Sequence, residues 1–254
     1  MNDSKQAAYT ELIRRVKGSY PVWDASEDCS KLRLYWCDDC EEINLWTYWQ
    51  GRGNLDAKIL LVGQDWGCPW SSDYDPTIEQ IRKANCGESY DYLNNNSNPT
   101  DMNLIRLFRE LGYDIRKPCK DLFFTNFVLG YRNKGLSGGY KKSWETYDKE
   151  YFKELANIIN PRAILCLGRS CFEGVLKAFG VHLPMPLKDY NAFIESDQNP
   201  ISVTLPTEET AYIFALAHCG VMGTLNRNRK KNTSLETQIQ DWRKIIPYIK
   251  ESES

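Results

Sequence analysis

The sequence predicts an α/β protein: a three-layer α/β/α sandwich around a central, mainly parallel sheet of four to five strands. Two observations carry that prediction. Four short apolar runs, at residues 58–62, 122–128, 163–167 and 211–217, are bounded by turn residues and have the length of strands buried on both faces. Segments with a helical spacing of apolar residues separate them, and strands alternating with helices pair in parallel under helices on both faces. The 254 residues, 42% of them hydrophobic, suffice for one core. A single domain over residues 1–254 is therefore expected, with residues 1–53 forming an N-terminal helix and a cysteine- and aromatic-rich extension.

Residues 4–17 are expected to open the chain as an amphipathic helix, because Ala7, Ala8, Leu12, Ile13 and Val16 recur on a helical period. Residues 18–53 read as irregular. The first buried strand, 58–62, ends at Gly63. A loop over 65–76 and a short helix over 77–84 follow, and residues 85–99, rich in Asn, Tyr and Ser, read as a loop. A helix over 101–111 takes Thr100 or Asp101 as its cap and Gly112 as its stop. The second strand, 122–128, leads into a basic, glycine-containing loop at 130–139. A helix over 143–160 stops before Pro161. The third strand, 163–167, turns at Gly168 into a helix over 170–179. The long connection 181–206 has room for an extra strand at 201–205. Residues 211–217 form the last buried strand, which ends at His218, and 233–250 form a closing helix before a frayed tail.

A formal net charge of −2 excludes a protein that coats nucleic acid by bulk charge, and leaves room for a local basic patch. The polar start, Met1-Asn2-Asp3-Ser4-Lys5, is not followed by an apolar core, so no secretory signal is expected. The apolar runs are too short to cross a bilayer, so a cytoplasmic location without a membrane partner is expected. Nine cysteines in that compartment are expected as thiols or metal ligands rather than disulfides. No G-x-G-x-x-G or P-loop run opens a helix, which argues against a nucleotide cofactor.

Ligands of parallel α/β folds gather at the carboxyl ends of the strands. The polar residues standing there are Gln64 and Asp65, Asn126, and His218. Their surroundings are Gly63-Gln64-Asp65-Trp66-Gly67 after the first strand, Phe124-Thr125-Asn126-Phe127-Val128 in the second, residues 163–168 before a helix, and Ala217-His218-Cys219-Gly220 after the last. In order and placement these runs resemble the motifs of the uracil-DNA glycosylase superfamily, over the stretch from about Cys37 to about Tyr248. The Gly-Gln-Asp opening matches the archetypal uracil enzymes. The ending in Gly67 resembles the thermophilic iron–sulfur and mismatch-specific branches. His218-Cys219-Gly220 stands where the superfamily has His-Pro-Ser.

The resemblance implies a DNA glycosylase that flips out a pyrimidine, uracil by default, and hydrolyses its N-glycosidic bond to leave an abasic site. In that reaction the sugar gains oxocarbenium character and the departing base becomes an anion. Asp65 would position the water or stabilise the cation, and His218 would donate to the leaving base. Asn126 would read the base edge through both groups of its carboxamide, and Gln64 would contribute its backbone. Trp66 occupies the neighbourhood where the archetypal enzymes carry a Tyr that excludes thymine. Trp70, Tyr90 or Tyr92 would supply the stacking ring, Tyr90 falling nearest the superfamily's position. The plain alternatives are an Asp that shapes a turn, a structural His and an Asn that caps a strand. His182 reads as structural.

After His218, Met222 or Leu225 would wedge into the space left by the flipped base. Arg227, Arg229, Lys230 and Lys231 would hold phosphates, with Arg132, Lys134, Lys141 and Lys142 as a second contact. The alternative is an ordinary solvated charge run. Cys37-Asp38-Asp39-Cys40 and residues 49–58 resemble the N-terminal region of the iron–sulfur branch, in which the CxxC supplies two cluster ligands. The other two would fall at Gly130 and near Tyr147, so the four-cysteine set is broken. Cys29, Cys68, Cys86 and Cys119 are the alternatives for zinc or a cluster. No cofactor is required for the reaction, the partner is DNA, and a monomer is expected. No lysine stands with the motifs as a Schiff-base nucleophile, so strand cleavage is not expected. Two further readings stay open: excision of a modified pyrimidine such as glucosylated 5-hydroxymethylcytosine from phage DNA as antiviral defence, and a non-catalytic DNA-binding relative.

Overall fold

The computed structural model describes residues 2–19, 34–35, 43, 50–64, 98–132, 144–183 and 187–250. Within them the four apolar runs are parallel neighbours. Strand β2 (Ile59–Gly63) lies between β3 (Leu122–Asn126) and β5 (Ala163–Leu167), β5 pairs with β7 (Thr210–Leu216), and β6 (Ile201–Thr204) closes the edge antiparallel to β7. The order is β3-β2-β5-β7-β6. A separate two-stranded ladder joins β1 (Leu34–Tyr35) to β4 (Tyr131–Arg132), in stretches read as irregular. Strands of two residues are too short to show a period.

The helices are α1 (Asn2–Ser19), α2 (Pro99–Glu110), α3 (Glu145–Ile159), α4 (Arg169–Ala178), α5 (Tyr190–Glu195), α6 (Val221–Arg227), α7 (Glu236–Arg243) and α8 (Ile246–Ile249). Each central strand sorts its residues alternately into two cores. Leu60, Val62, Phe123, Ile164 and Cys166 face a layer containing Leu12 of α1, Phe152 of α3 and Phe172 of α4. Ile59, Leu61, Phe124, Leu165 and Leu167 face Phe108 of α2 and Trp242 of α7. Both faces of the sheet are covered, which is why the strands are apolar throughout rather than alternating. The Phe108 ring centre lies 5.1 Å from that of Phe124 and 5.0 Å from that of Trp242, tying the second helical layer to the sheet.

Several boundaries differ from the sequence expectation. Helix α2 is capped by Asn98, whose side chain accepts from Thr100 N–H (2.9 Å), with Pro99 in the first turn; neither Thr100 nor Asp101 is the cap. Gly112 does end it, at φ +88°. The expected closing helix is two helices, α7 and α8, separated at residues 244–245. The connection 181–206 holds α5 as well as β6; the Asp189 carboxylate caps α5 by accepting from Ala192 N–H (3.1 Å). The expected helix over 77–84 lies outside the described residues.

Buried Gln50 and half-buried Asn54 fix the start of β3. Gln50 Nε2 donates to Lys117 O (2.9 Å), its Oε1 accepts from Cys119 N–H (3.1 Å), and its own carbonyl accepts from Phe124 N–H (2.9 Å). Asn54 Nδ2 donates to Leu122 O (2.8 Å). The register of β3, and so the height of Asn126 at its far end, is set by this pair. Among the described residues no helix is long and apolar enough to cross a membrane.

Candidate functional site

The chain leaves β2 first for β3 on one side and then for β5 on the other, so the carboxyl end of β2 is the switch point of the sheet. Gly63 pairs with Asn126 in the last rung of the β2–β3 ladder. Beyond it Phe127 N–H donates to Gly63 O (2.9 Å) and Val128 N–H to Gln64 O (3.0 Å). The backbone of Gln64, the residue before Asp65, is thereby pinned beside Asn126. On the other side of β2, Gly168 ends β5 at φ +100°, a conformation that favours glycine, and its N–H donates to Leu216 O (2.8 Å).

Asn126 is 3% exposed, yet among the described residues its carboxamide makes no hydrogen bond. A carboxamide with no partner among the described residues keeps two donors and an acceptor for a ligand. The chain around it is rigid. Phe127 packs so closely under α4 that a Cβ at Gly174 would lie 2.7 Å from its ring. Leu129 N–H donates to the buried Asp148 carboxylate (2.6 Å).

His218 follows β7. Its Nδ1 accepts from Gly220 N–H (3.0 Å), which assigns the ring proton of the neutral form to Nε2. The ring reaches solvent from within a crowded recess, and desolvation by the surrounding protein lowers its pKa. The neutral, Nε2-protonated form is therefore the one present at neutral pH. Glycine is required at Gly223, and a side chain at Gly220 would crowd the ring. A Cβ at Gly223 would sit 2.0 Å from His218 O, and one at Gly220 would be 3.1 Å from the imidazole. Between β3 and β7 lie two strands, so Asn126 and His218 stand three strand spacings apart, about 14 Å.

The residues after His218 differ from expectation. Residues 221–227 form helix α6 rather than a loop. Met222 stands 67% exposed on its first turn and Val221 beside it is exposed too, while Leu225 is half-buried, so of the two candidate wedges only Met222 projects. Arg227 is not a phosphate contact. It is 3% exposed and spans Asp241 (2.6 and 2.9 Å) and Glu195 (2.8 Å), locking α6 to α7 and α5. Arg229, Lys230 and Lys231 are exposed; Arg229 has a loose ion pair with Glu195 at 3.6 Å.

Asp65, Trp66, Trp70, Tyr90, Tyr92, Lys134, Lys141, Lys142, Cys37 and Cys40 lie outside the described residues, as do Cys29, Cys68 and Cys86. Arg132 is in β4. Among the described residues no group of three or more His, Cys, Asp or Glu is gathered for a metal. Gly130 offers no donor atom where the iron–sulfur branch has a cysteine. Cys119 lies before the opposite end of β3, about 17 Å of strand away, and does not replace it. Cys219 is fully buried and burial raises its thiol pKa, so it is no nucleophile. His182 is exposed past the far end of α4.

At the amino ends of the strands a groove of about 780 Å³ is lined by Lys58, Arg162, Glu209, Tyr212 and Tyr248 among others. Asn160 Nδ2 donates to Glu209 (2.7 Å) and Arg162 to Lys250 O (3.1 Å) there. It lies at the wrong end of a parallel sheet for the chemistry, and its polar groups are engaged with one another. Compared with models of known protein families and with curated proteins, the chain finds no match.

Sequence reasoning missed Gln238, Thr224 and Asn103, which surround the His218 turn. Gln238 carried a signal: it occupies a core position in the spacing Leu235, Gln238, Ile239, Trp242, where an apolar residue belongs.

Proposed function

We propose that this chain is a base-excising enzyme of DNA, and more particularly a monofunctional glycosylase that hydrolyses the N-glycosidic bond of a flipped pyrimidine, uracil by default. The observation that carries this reading is the pairing, across the carboxyl ends of one parallel sheet, of a buried Asn126 carboxamide that has no hydrogen-bond partner among the described residues with a His218 fixed as an Nε2–H donor. A base edge needs an amide that can both give and accept, and a departing pyrimidine anion needs a donor at its oxygen. A neutral imidazole that carries its proton on Nε2 donates without first being protonated. Asp65, adjacent in sequence to Gln64 between them, would hold the attacking water or balance the positive charge on the sugar. Met222, exposed beside His218, would fill the gap in the duplex, and Arg229, Lys230 and Lys231 would meet phosphates.

The test is base release from labelled oligonucleotides that carry uracil, thymine or hypoxanthine mispairs, 5-hydroxymethylcytosine or its glucosylated form, with alkali revealing abasic sites. Release of one base, lost in both Asp65→Asn and His218→Ala, is expected and names the substrate. DNA binding with no release of any of these bases would refute the enzyme reading for them and favour a binding relative.

A further inference from the structure

Three consecutive carbonyls between β7 and α6, those of Ala217, His218 and Cys219, are each taken by a side-chain carboxamide. Gln238 Nε2, on α7, donates to Ala217 O (3.2 Å) and His218 O (3.2 Å). Asn103 Nδ2, on α2, donates to Cys219 O (2.7 Å). The two carbonyls oblige Gln238 to present its nitrogen to them, so its Oε1 needs a donor, which is the Thr224 hydroxyl (2.7 Å). Gln238 and Thr224 are each 1% exposed. Normal helix bonding begins only after this stretch, with Thr224 N–H donating to Gly220 O (2.9 Å).

Packing within the same turn holds Ala217 and Cys219, whose side chains are buried in the two cores, but not His218, which is exposed. Gly168 lies behind the His218 Cβ, and Gly220 and Gly223 approach its ring and carbonyl. The ring itself is steered by one hydrogen bond, from a backbone N–H two residues further along the same turn. With the ring exposed, the direction of the imidazole depends on the main chain that carries it, and so on whatever fixes the carbonyls. A displacement of about 1 Å in a reacting group can slow catalysis about a hundredfold.

We propose that Asn103 and Gln238, the latter oriented by Thr224, are positioning residues for His218: a carboxamide clamp from two helices that aims Nε2–H into the site. The clamp rests on the glycosylase reading for its consequence but not for its existence. Two measurements separate them: single-turnover base release with DNA affinity, and nitrogen-15 spectra of the His218 ring, which report its tautomer without any substrate. In Gln238→Leu and Asn103→Ala, base release falls by about 10- to 100-fold with DNA affinity unchanged, and the ring leaves its single Nε2–H form. Thr224→Ser keeps the hydroxyl and both properties, and Thr224→Val loses them. Gln238 is deeply buried, so if Gln238→Leu fails to fold, Asn103→Ala at a half-buried position carries the test. Folded variants that retain the single tautomer overturn the clamp, whatever their activity. A wild-type protein that releases no base, but whose ring changes tautomer in the variants, keeps the clamp and removes the glycosylase reading.

Discussion

Asn126 and His218 stand at the carboxyl ends of parallel strands of one sheet, yet they are treated in opposite ways. Around His218 the polar groups are engaged: the ring nitrogen by Gly220, and three successive carbonyls by Gln238 and Asn103. At Asn126 the backbone is secured by Gln50, Asp148 and the β2 ladder, while the carboxamide has no partner among the described residues. A donor that must point one way needs its frame satisfied, so that reaction requires no reorganisation. A group that must recognise a ligand needs its own hydrogen bonds unspent until the ligand arrives. The difference is the one expected between a group that acts and a group that reads.

The charge run after His218 divides along the same line, and gives the largest expected effect. Arg227 is saturated by two carboxylates, whereas Arg229 and Lys230 face water. Replacing Arg227 by Met leaves the buried Asp241 carboxylate without its partner, and is expected to lower stability by about 3–5 kcal/mol in chemical denaturation. Arg229→Gln is expected to leave stability unchanged and to reduce the salt dependence of DNA binding by about one phosphate contact. A stable Arg227→Met protein with a reduced salt slope would restore Arg227 to the DNA surface and erase the division.

Proton uptake sharpens the contrast at His218. Because Nε2 already carries the proton, acidification must protonate Nδ1, which is occupied by Gly220 N–H, in a place where desolvation already lowers the pKa. The folded pKa lies below the ordinary histidine value that the unfolded chain retains. The unfolded state therefore takes up the proton first. The contribution is fully present above the ordinary value and is lost as pH falls below it. Thermal unfolding from about pH 8 to about pH 5 should show an acid-side loss in the wild type that His218→Asn lacks. Base release should fall with an apparent pKa below the ordinary one. A wild-type protein that gains stability on that descent would show that the imidazole is stabilised as a cation, and the proposed donor form would be wrong.

How much of this was legible in the sequence follows from which faces are buried. The four parallel strands are covered on both sides, so they read as unbroken apolar runs, and their ends delivered Gly63, Asn126 and His218 in place. Helix α6 was read as a loop because its pattern is inverted: Thr224 and Arg227 point inward and Val221 and Met222 outward. A reading that seeks an apolar stripe finds none there, and takes a buried Arg227 for a surface charge. The α2 cap was displaced for a related reason, since Pro99 can begin a helix and Asn98 can cap it, while Thr100 and Asp101 resemble caps in composition alone. The carboxamides of Gln238 and Asn103 bond to carbonyls 20 and 116 residues away, contacts that no local pattern records.

A small expected change in stability is the most decisive for the comparison. Asn126→Leu removes a buried amide that has no partner among the described residues and substitutes an apolar side chain of similar size. Breaking an ordinary buried hydrogen bond destabilises a protein, because the abandoned partner remains unsatisfied; here no partner among the described residues is abandoned. The variant should therefore be as stable as the wild type, or up to about 2 kcal/mol more so, by urea denaturation. Base release should nevertheless fall by about 10²–10³-fold, since the leucine can neither give nor accept at the base edge. A structural asparagine predicts the opposite on both counts, with stability lost and the rate following only in proportion to the folded fraction. Stability kept and activity lost is the signature of a side chain maintained against the interest of the fold, and in this molecule Asn126 is the place to look for it.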